Sequence, residues 1–172
     1  DSLCTGTGDI GRAVLKLQPE AKVTALDFSS EMLELAHQQQ GEYAHGLNYI
    51  RGDAMAPPFP KEYFEAVTVG YGLRNVVDLS ACIKNILSLL KPSGVLVCLD
   101  VGKVNIPVIA QLNRFYFFKI VPLIGKWLMP GQEMFDYLPH SSINYPDQKK
   151  LKKILLEEGF QKVDVYDFVF GA

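Results

Sequence analysis

Gly6 and Gly8, with Asp9 directly after them, make a turn that can receive a ligand, and two more carboxylates, Asp27 and Asp53, stand where later strands should end. Glycines let a chain bend tightly and let a ligand approach its backbone. Gly6, Gly8 and Gly11 also satisfy G-x-G-x-x-G, the spacing that seats a dinucleotide pyrophosphate on a helix amino terminus. Asp27 stands where an acid grips ribose hydroxyls. On spacing alone, a nicotinamide-dependent dehydrogenase is open. Charge argues the other way. Asp9 would sit inside the turn with Asp1 close by, and each close carboxylate–phosphate contact costs roughly a few kcal/mol at an effective dielectric of about 20. S-adenosylmethionine carries a sulfonium and an ammonium and no phosphate, so the same acids stabilise it. The bland alternative makes Asp9 a helix cap and the glycines an ordinary loop.

Asp53 lies in Gly52-Asp53-Ala54, before the loop Pro57-Pro58-Phe59-Pro60. A carboxylate at that edge can accept a hydrogen bond from an adenine amino group. Met32 is expected beside the adenine or ribose, or else in the core. A second turn, Gly70-Tyr71-Gly72-Leu73-Arg74-Asn75, should face the methyl-donor sulfur. Arg74 and Asn75 offer donors that can orient an oxygen-bearing ring; the alternative for Arg74 is a surface salt bridge to Asp78. Cofactor contacts are expected at Asp1, Gly6, Thr7, Gly8, Asp9, Asp27, Phe28, Met32, Asp53 and Gly70, with Arg74 and Asn75 as the catalytic pair.

These turns need a scaffold. Short β-branched runs alternate with amphipathic stretches, which predicts right-handed βαβ crossovers and a parallel sheet. Strands are expected at Ser2–Cys4, Lys22–Leu26, Leu47–Ile50, Ala66–Val69, Val95–Leu99 and Gln161–Val169. Val95–Leu99 is apolar enough to be covered on both faces. Helices are expected at Asp9–Leu17, with Ile10, Val14 and Leu17 on one side, and through Met32–Ala36 after a Ser29 or Ser30 cap. Two more are expected, at Asp78–Leu90, stopped by Pro92 and Gly94, and at Asp147–Glu158, stopped by Gly159. The region 104–144, rich in aromatics and prolines, reads as an inserted helical cap within a single domain spanning 1–172.

Composition bounds the class. Hydrophobic residues make up 48% and charged residues 21%, enough for a packed core, and a net charge of −2 argues against a nucleic-acid partner. Cys4, Cys82 and Cys98 have no paired spacing and read as buried thiols of a cytosolic-type protein. His37, His45 and His140 follow no ligand spacing, so no metal is expected. No apolar run of about 20 residues predicts a membrane span.

The sequence resembles the ubiquinone and menaquinone biosynthesis C-methyltransferases. The matching stretches are TGTGD at 5–9, LDFSSEML at 26–33, GDAMAPPF at 52–59, GYGLRNVVD at 70–78, LLKPSG at 89–94, YFFKIVPLIGK at 116–126, YPDQ at 145–148 and EEGF at 157–160. GLRNV is the most diagnostic. The resemblance implies an α/β, Rossmann-like, class I S-adenosylmethionine-dependent methyltransferase fold with a mostly parallel sheet, incomplete at the termini. It implies cofactor contacts at Gly6, Gly8, Asp9, Asp27, Asp53 and Ala54, and substrate contacts at Arg74 and Asn75. The implied acceptor is a prenylated quinol, demethylmenaquinol first, with a phytyl-naphthoquinol or a ubiquinone precursor as alternatives. Asn113–Met129 is the expected apolar path for the prenyl tail or else a cap helix packed on the sheet. Arg114, Lys119 and Lys126 within it could touch anionic headgroups, so a cytoplasmic location with peripheral membrane contact is expected, organellar if a targeting segment precedes the chain. A homodimer is a further expectation. The sequence departs from the family at Lys91-Pro92-Ser93-Gly94, where KPGG is usual, and at Asp100 and Gly102, where glutamate and serine are usual. The family's amino-terminal helices, with their tyrosine, aspartate and histidine motif, are absent from it.

Overall fold

The computed structural model describes residues 2–100, 102–103 and 145–168. The chain divides into two units, residues 1–100 and 101–172, and each is described by itself. Asp1, the 104–144 region and the segment Asn113–Met129 lie outside the described residues.

In the first unit, β1 (Ser2–Leu3) is only two residues long and fully buried, the signature of a central strand. It pairs in parallel with β2 (Val23–Asp27) on one side and β4 (Phe64–Gly70) on the other. β3 (Leu47–Arg51) flanks β2, and β5 (Leu90–Leu99) flanks β4, giving the order β3-β2-β1-β4-β5 with every pair parallel. Strand order therefore reverses at β1, and the crevice that opens beyond its carboxyl end is where such sheets hold ligands.

Three helices pack against the sheet: α1 (Asp9–Leu17), α2 (Ser30–Gln39) and α3 (Leu79–Leu89). Ser29 caps α2 by accepting the Met32 N–H, and Asp78 caps α3 by accepting the Ala81 N–H. The core is built from Leu3, Leu15, Leu26, Val67, Ile83 and Ile86, all essentially inaccessible. The buried stripe of α1 differs from the one expected. Gly11 and Leu15 face the sheet, while Leu17 is exposed. A side chain at 11 would strike Leu47 and Val23, so the missing Cβ is what lets α1 approach β2 and β3.

Pro92 and Gly94 do not stop the third helix, which ends at Leu89 and passes directly into β5. Instead Lys91–Gly94 form a turn inside β5: the ladder pairs Phe64 with Leu90 and then Ala66 with Val95. Ser93 holds φ at +65 there, a conformation that favours glycine. The expectation that β5 is covered on both faces also fails for the described residues, because Val95, Val97 and Leu99 are exposed.

In the second unit, α4 (Gln148–Glu157) starts at Asp147, whose carboxylate accepts the Lys150 N–H. Gln148 clasps Lys103, accepting its N–H and donating to its carbonyl. The chain turns out of α4 at Gly159, where φ is +115. The strand expected over Gln161–Val169 is not formed across 161–168. Its alternating apolar residues need a neighbouring strand, none pairs with them among the described residues, and Val165, Tyr166 and Phe168 are exposed.

Candidate functional site

The turn after β1 is wired by its own backbone and by Asp27. The Gly6 N–H donates to Asp27 Oδ2 at 2.7 Å, and the Ser29 N–H donates to Asp27 Oδ1 at 3.0 Å. One carboxylate at the end of β2 thus ties the first turn to the second. The Gly8 N–H is spent on the Thr5 carbonyl at 2.9 Å. Gly6 holds φ at +54, and the space where a Cβ would stand is open. Gly8 is different: Tyr49, Ala36 and Arg12 crowd it.

Arg12 is the residue that the sequence reading missed. Its guanidinium donates to Asp9 Oδ1 at 2.7 Å and to the Thr7 carbonyl at 2.7 Å, while the Thr7 hydroxyl donates to Asp9 Oδ2 at 2.6 Å. Asp9 is mostly exposed and its charge is matched by this i,i+3 pair. Asp9 therefore supplies less electrostatic discrimination against a phosphate than a bare carboxylate would. The Gly6 and Gly8 N–H groups are both bonded inside the protein, to Asp27 and to the Thr5 carbonyl. The spacing of Asp9 and Arg12 on the first turn of a helix is the signal that could have revealed the pair.

Beyond β3, Asp53 is exposed and accepts the Met55 N–H at 2.8 Å. Ala54 is buried beneath it, its carbonyl 4.0 Å from the Cys82 sulfur. Phe28 and Met32, after β2, are both exposed, which removes the core alternative for Met32. Asp27 and Asp53 both push up the thiol of Cys4, after burial itself, to about 12. Asp27 and Asp53 thus both act on Cys4 at the carboxyl end of β1. Burial likewise raises Cys82 to about 11 and Cys98 to about 12, so all three thiols stay protonated at neutral pH.

The turn after β4 is built differently. A Cβ on Gly70 would strike Ile10, and one on Gly72 would come within 2.7 Å of the Cys4 sulfur. These glycines let the turn close down on α1 and on the end of β1. Tyr71 holds φ at +57 and donates its N–H to the Leu99 carbonyl at 2.7 Å, extending the β4–β5 ladder by one residue. Leu73–Asn75 then form one 3-10 turn. Arg74 turns inward. Its ion partner is Asp100 at 3.9 Å, not Asp78, which is engaged in capping α3. Arg74 Cζ lies 5.7 Å from the centre of the Tyr71 ring, and Arg74 Nε has no hydrogen-bond partner among the described residues. Asn75 is exposed and its amide donates to the Tyr71 carbonyl at 3.5 Å. From the sequence, Asp100 shows only as an aspartate where the family has glutamate, which keeps the charge; its partnership with Arg74 needs the adjacency of β4 and β5.

An adenosyl group with a cationic sulfur fits this arrangement. Asp27 can receive hydroxyls, Asp53 can receive an amino group, and the open face of Gly6 leaves room. These features, on a parallel sheet that reverses at β1, define a class I methyltransferase that uses S-adenosylmethionine. The fold is shared with a SAM-dependent methyltransferase from Aquifex aeolicus, with a TM-score of 0.68 at 14% identity over 96% of this chain and 73% of that one. The chain belongs to the ubiE/COQ5 methyltransferase family, which it matches over residues 2–172. It is 47% identical over 173 residues to a demethylmenaquinone methyltransferase of Leptospira interrogans, covering 98% of this chain and 70% of the relative. A demethylmenaquinone methyltransferase of Staphylococcus aureus (strain JH9) is 36% identical over 171 residues, covering 99% and 70%. No helix among the described residues is long and apolar enough to cross a membrane.

Proposed function

We propose that this enzyme methylates a ring carbon of a prenylated quinol, with demethylmenaquinol as the acceptor. The names of its relatives support the acceptor. The observation that carries the residue roles is the Arg74 guanidinium, its side chain only 9% exposed, in the turn beyond β4 whose Gly72 packs against Cys4 at the end of β1. When bound, S-adenosylmethionine supplies an electrophilic methyl group on its sulfonium.

The chain's own residues do the rest. Asp27 holds ribose hydroxyls while it anchors the Gly6 loop, and Asp53 accepts from the adenine amino group. Phe28 and Met32 present apolar surface to the adenosine. A ring carbon is a weak nucleophile until the neighbouring phenol loses its proton, so the quinol rather than the quinone is the reacting form. Arg74 cannot take that proton, because a guanidinium has no acceptor. It would stabilise the phenolate as it forms, the phenol proton passing to solvent. Once the methyl group has left the sulfonium for the ring carbon, the C–H proton of that carbon must also leave to solvent, which restores the aromatic quinol. Asn75 would orient the ring oxygen and so hold the reacting carbon toward the methyl donor.

Arg74→Ala should lower turnover on a demethylmenaquinol by about a hundredfold or more while shifting cofactor affinity less than about threefold. Calorimetric titration beside initial rates checks this, and equal losses in both would contradict the assignment. A cytoplasmic enzyme in peripheral contact with a membrane belongs to the same proposal, supported by the apolar tail of the acceptor and by Arg114, Lys119 and Lys126 among aromatics in the sequence. Sedimentation unaltered by anionic vesicles would count against that contact.

A further inference from the structure

We infer that Asp100 is a positioning residue for the transfer reaction, acting through Arg74; this rests on the placement of Arg74 at the reacting ring proposed above. The geometry comes from the sheet. β4 and β5 are parallel neighbours in register at Gly70 and Leu99, so the residues that follow both strands emerge side by side. The Tyr71 N–H on the Leu99 carbonyl fixes the turn over the end of β5. That brings Arg74, four residues past β4, to Asp100, one residue past β5. The side chains are 9% and 7% exposed and 3.9 Å apart. The Tyr71 ring covers the guanidinium from another side.

A guanidinium screened from water by these partners takes its orientation from them. Asp100 has a second effect, on charge. Its carboxylate offsets the Arg74 cation, so a bound phenol feels a moderated positive field. Removing the negative charge alone should misplace Arg74 and also expose its full field. Misplacement lowers turnover. The stronger field favours the phenolate, so the acid limb of the rate profile moves to lower pH. A residue that merely supports the fold would move melting temperature and leave that limb where it was.

The experiment is a cycle of Asp100→Asn, Arg74→Ala and the double variant in the full chain, assayed on a soluble short-tailed demethylmenaquinol with S-adenosylmethionine. Asp100→Asn should cut kcat by about tenfold to a hundredfold, with KM for the cofactor nearly unchanged and the acid limb displaced downward. Added to Arg74→Ala, it should cost almost nothing more, because the group it orients is gone. Asp100→Glu keeps the charge on a longer arm and should recover most of the rate with the limb in its original place. Losses that multiply in the double variant, or an unmoved limb in Asp100→Asn, would overturn the inference. If Asp100→Asn does not fold, Asp100→Glu decides: a displaced acid limb in that variant would also overturn it. Full turnover in Arg74→Ala would instead remove the catalytic placement of Arg74, and this inference with it.

Discussion

The turn after β1 and the turn after β4 meet at the same end of the sheet, and both carry two glycines and a cation–carboxylate pair. Their wiring is opposite. In the first, Asp9 and Arg12 sit three residues apart on one helix turn, and Asp9 is largely solvated. In the second, Arg74 and Asp100 are 26 positions apart in sequence and screened from water on both sides. A local pair with one partner in solvent contributes little and can be lost cheaply. A screened pair joining two strands becomes costly to break, because either survivor keeps a charge without its main counterion. The first turn is held by its backbone and by Asp27, and its side-chain pair is secondary. The second turn depends on its side chains being held by tertiary contacts.

The contrast can be tested from its strongest consequence downward. Gly72→Ala should be the most damaging, because its Cβ would meet the Cys4 Cβ and sulfur where backbone and packing leave little room. A loss of about 1–3 kcal/mol in stability is expected from such overpacking, with turnover falling alongside, read by denaturant unfolding and initial rates. A stability unaltered by Gly72→Ala would show that the second turn is not clamped to β1.

Next comes alkaline pH. Cys4 sits under both turns, and its thiol is raised from 9.0 to about 12, chiefly by burial and then by Asp27. A raised acid pKa means that the folded protein keeps a proton that the unfolded chain has lost, so the stability contribution is full below about pH 9 and fades as pH rises toward 12. Melting temperature should therefore fall over that window, and less steeply in Cys4→Ala. Identical slopes would remove Cys4 from the account.

The smallest effect is expected from Arg12→Gln. The pair with exposed Asp9 is worth less than about 1 kcal/mol, and cofactor affinity should move by no more than about threefold. A tenfold loss of affinity would mean that the first turn relies on its side chains as strongly as the second does, and the contrast would collapse.

Much of this molecule could be read from the chain. The α1 boundaries, the Ser29 cap and five parallel strands follow from short-range patterns, because helix periodicity, capping and β-branched runs act between neighbours. The Gly6–Asp9 turn and Asp27 could be read for the same reason. The reading failed where the outcome depended on distant partners. Gln161–Phe168 has the alternation of a strand, yet alternation forms no strand without a neighbour to pair with. Lys91–Gly94 carries stop signals for a helix, yet the helix ends at Leu89 and the turn falls inside β5. Met32 could have been core or surface, and only the packing of α2 exposed it.

The sequence by itself therefore determined the sheet, the family, and the acids and glycines offered to a cationic cofactor. Only the tertiary structure decided which charge faces which. Asp9 went to Arg12 and Arg74 to Asp100, while the N–H groups of the first loop went to Asp27 and Thr5. The reason is that charges and hydrogen bonds are satisfied by whatever the fold brings near, and nearness across two strand ends is not written in the spacing of residues along one of them.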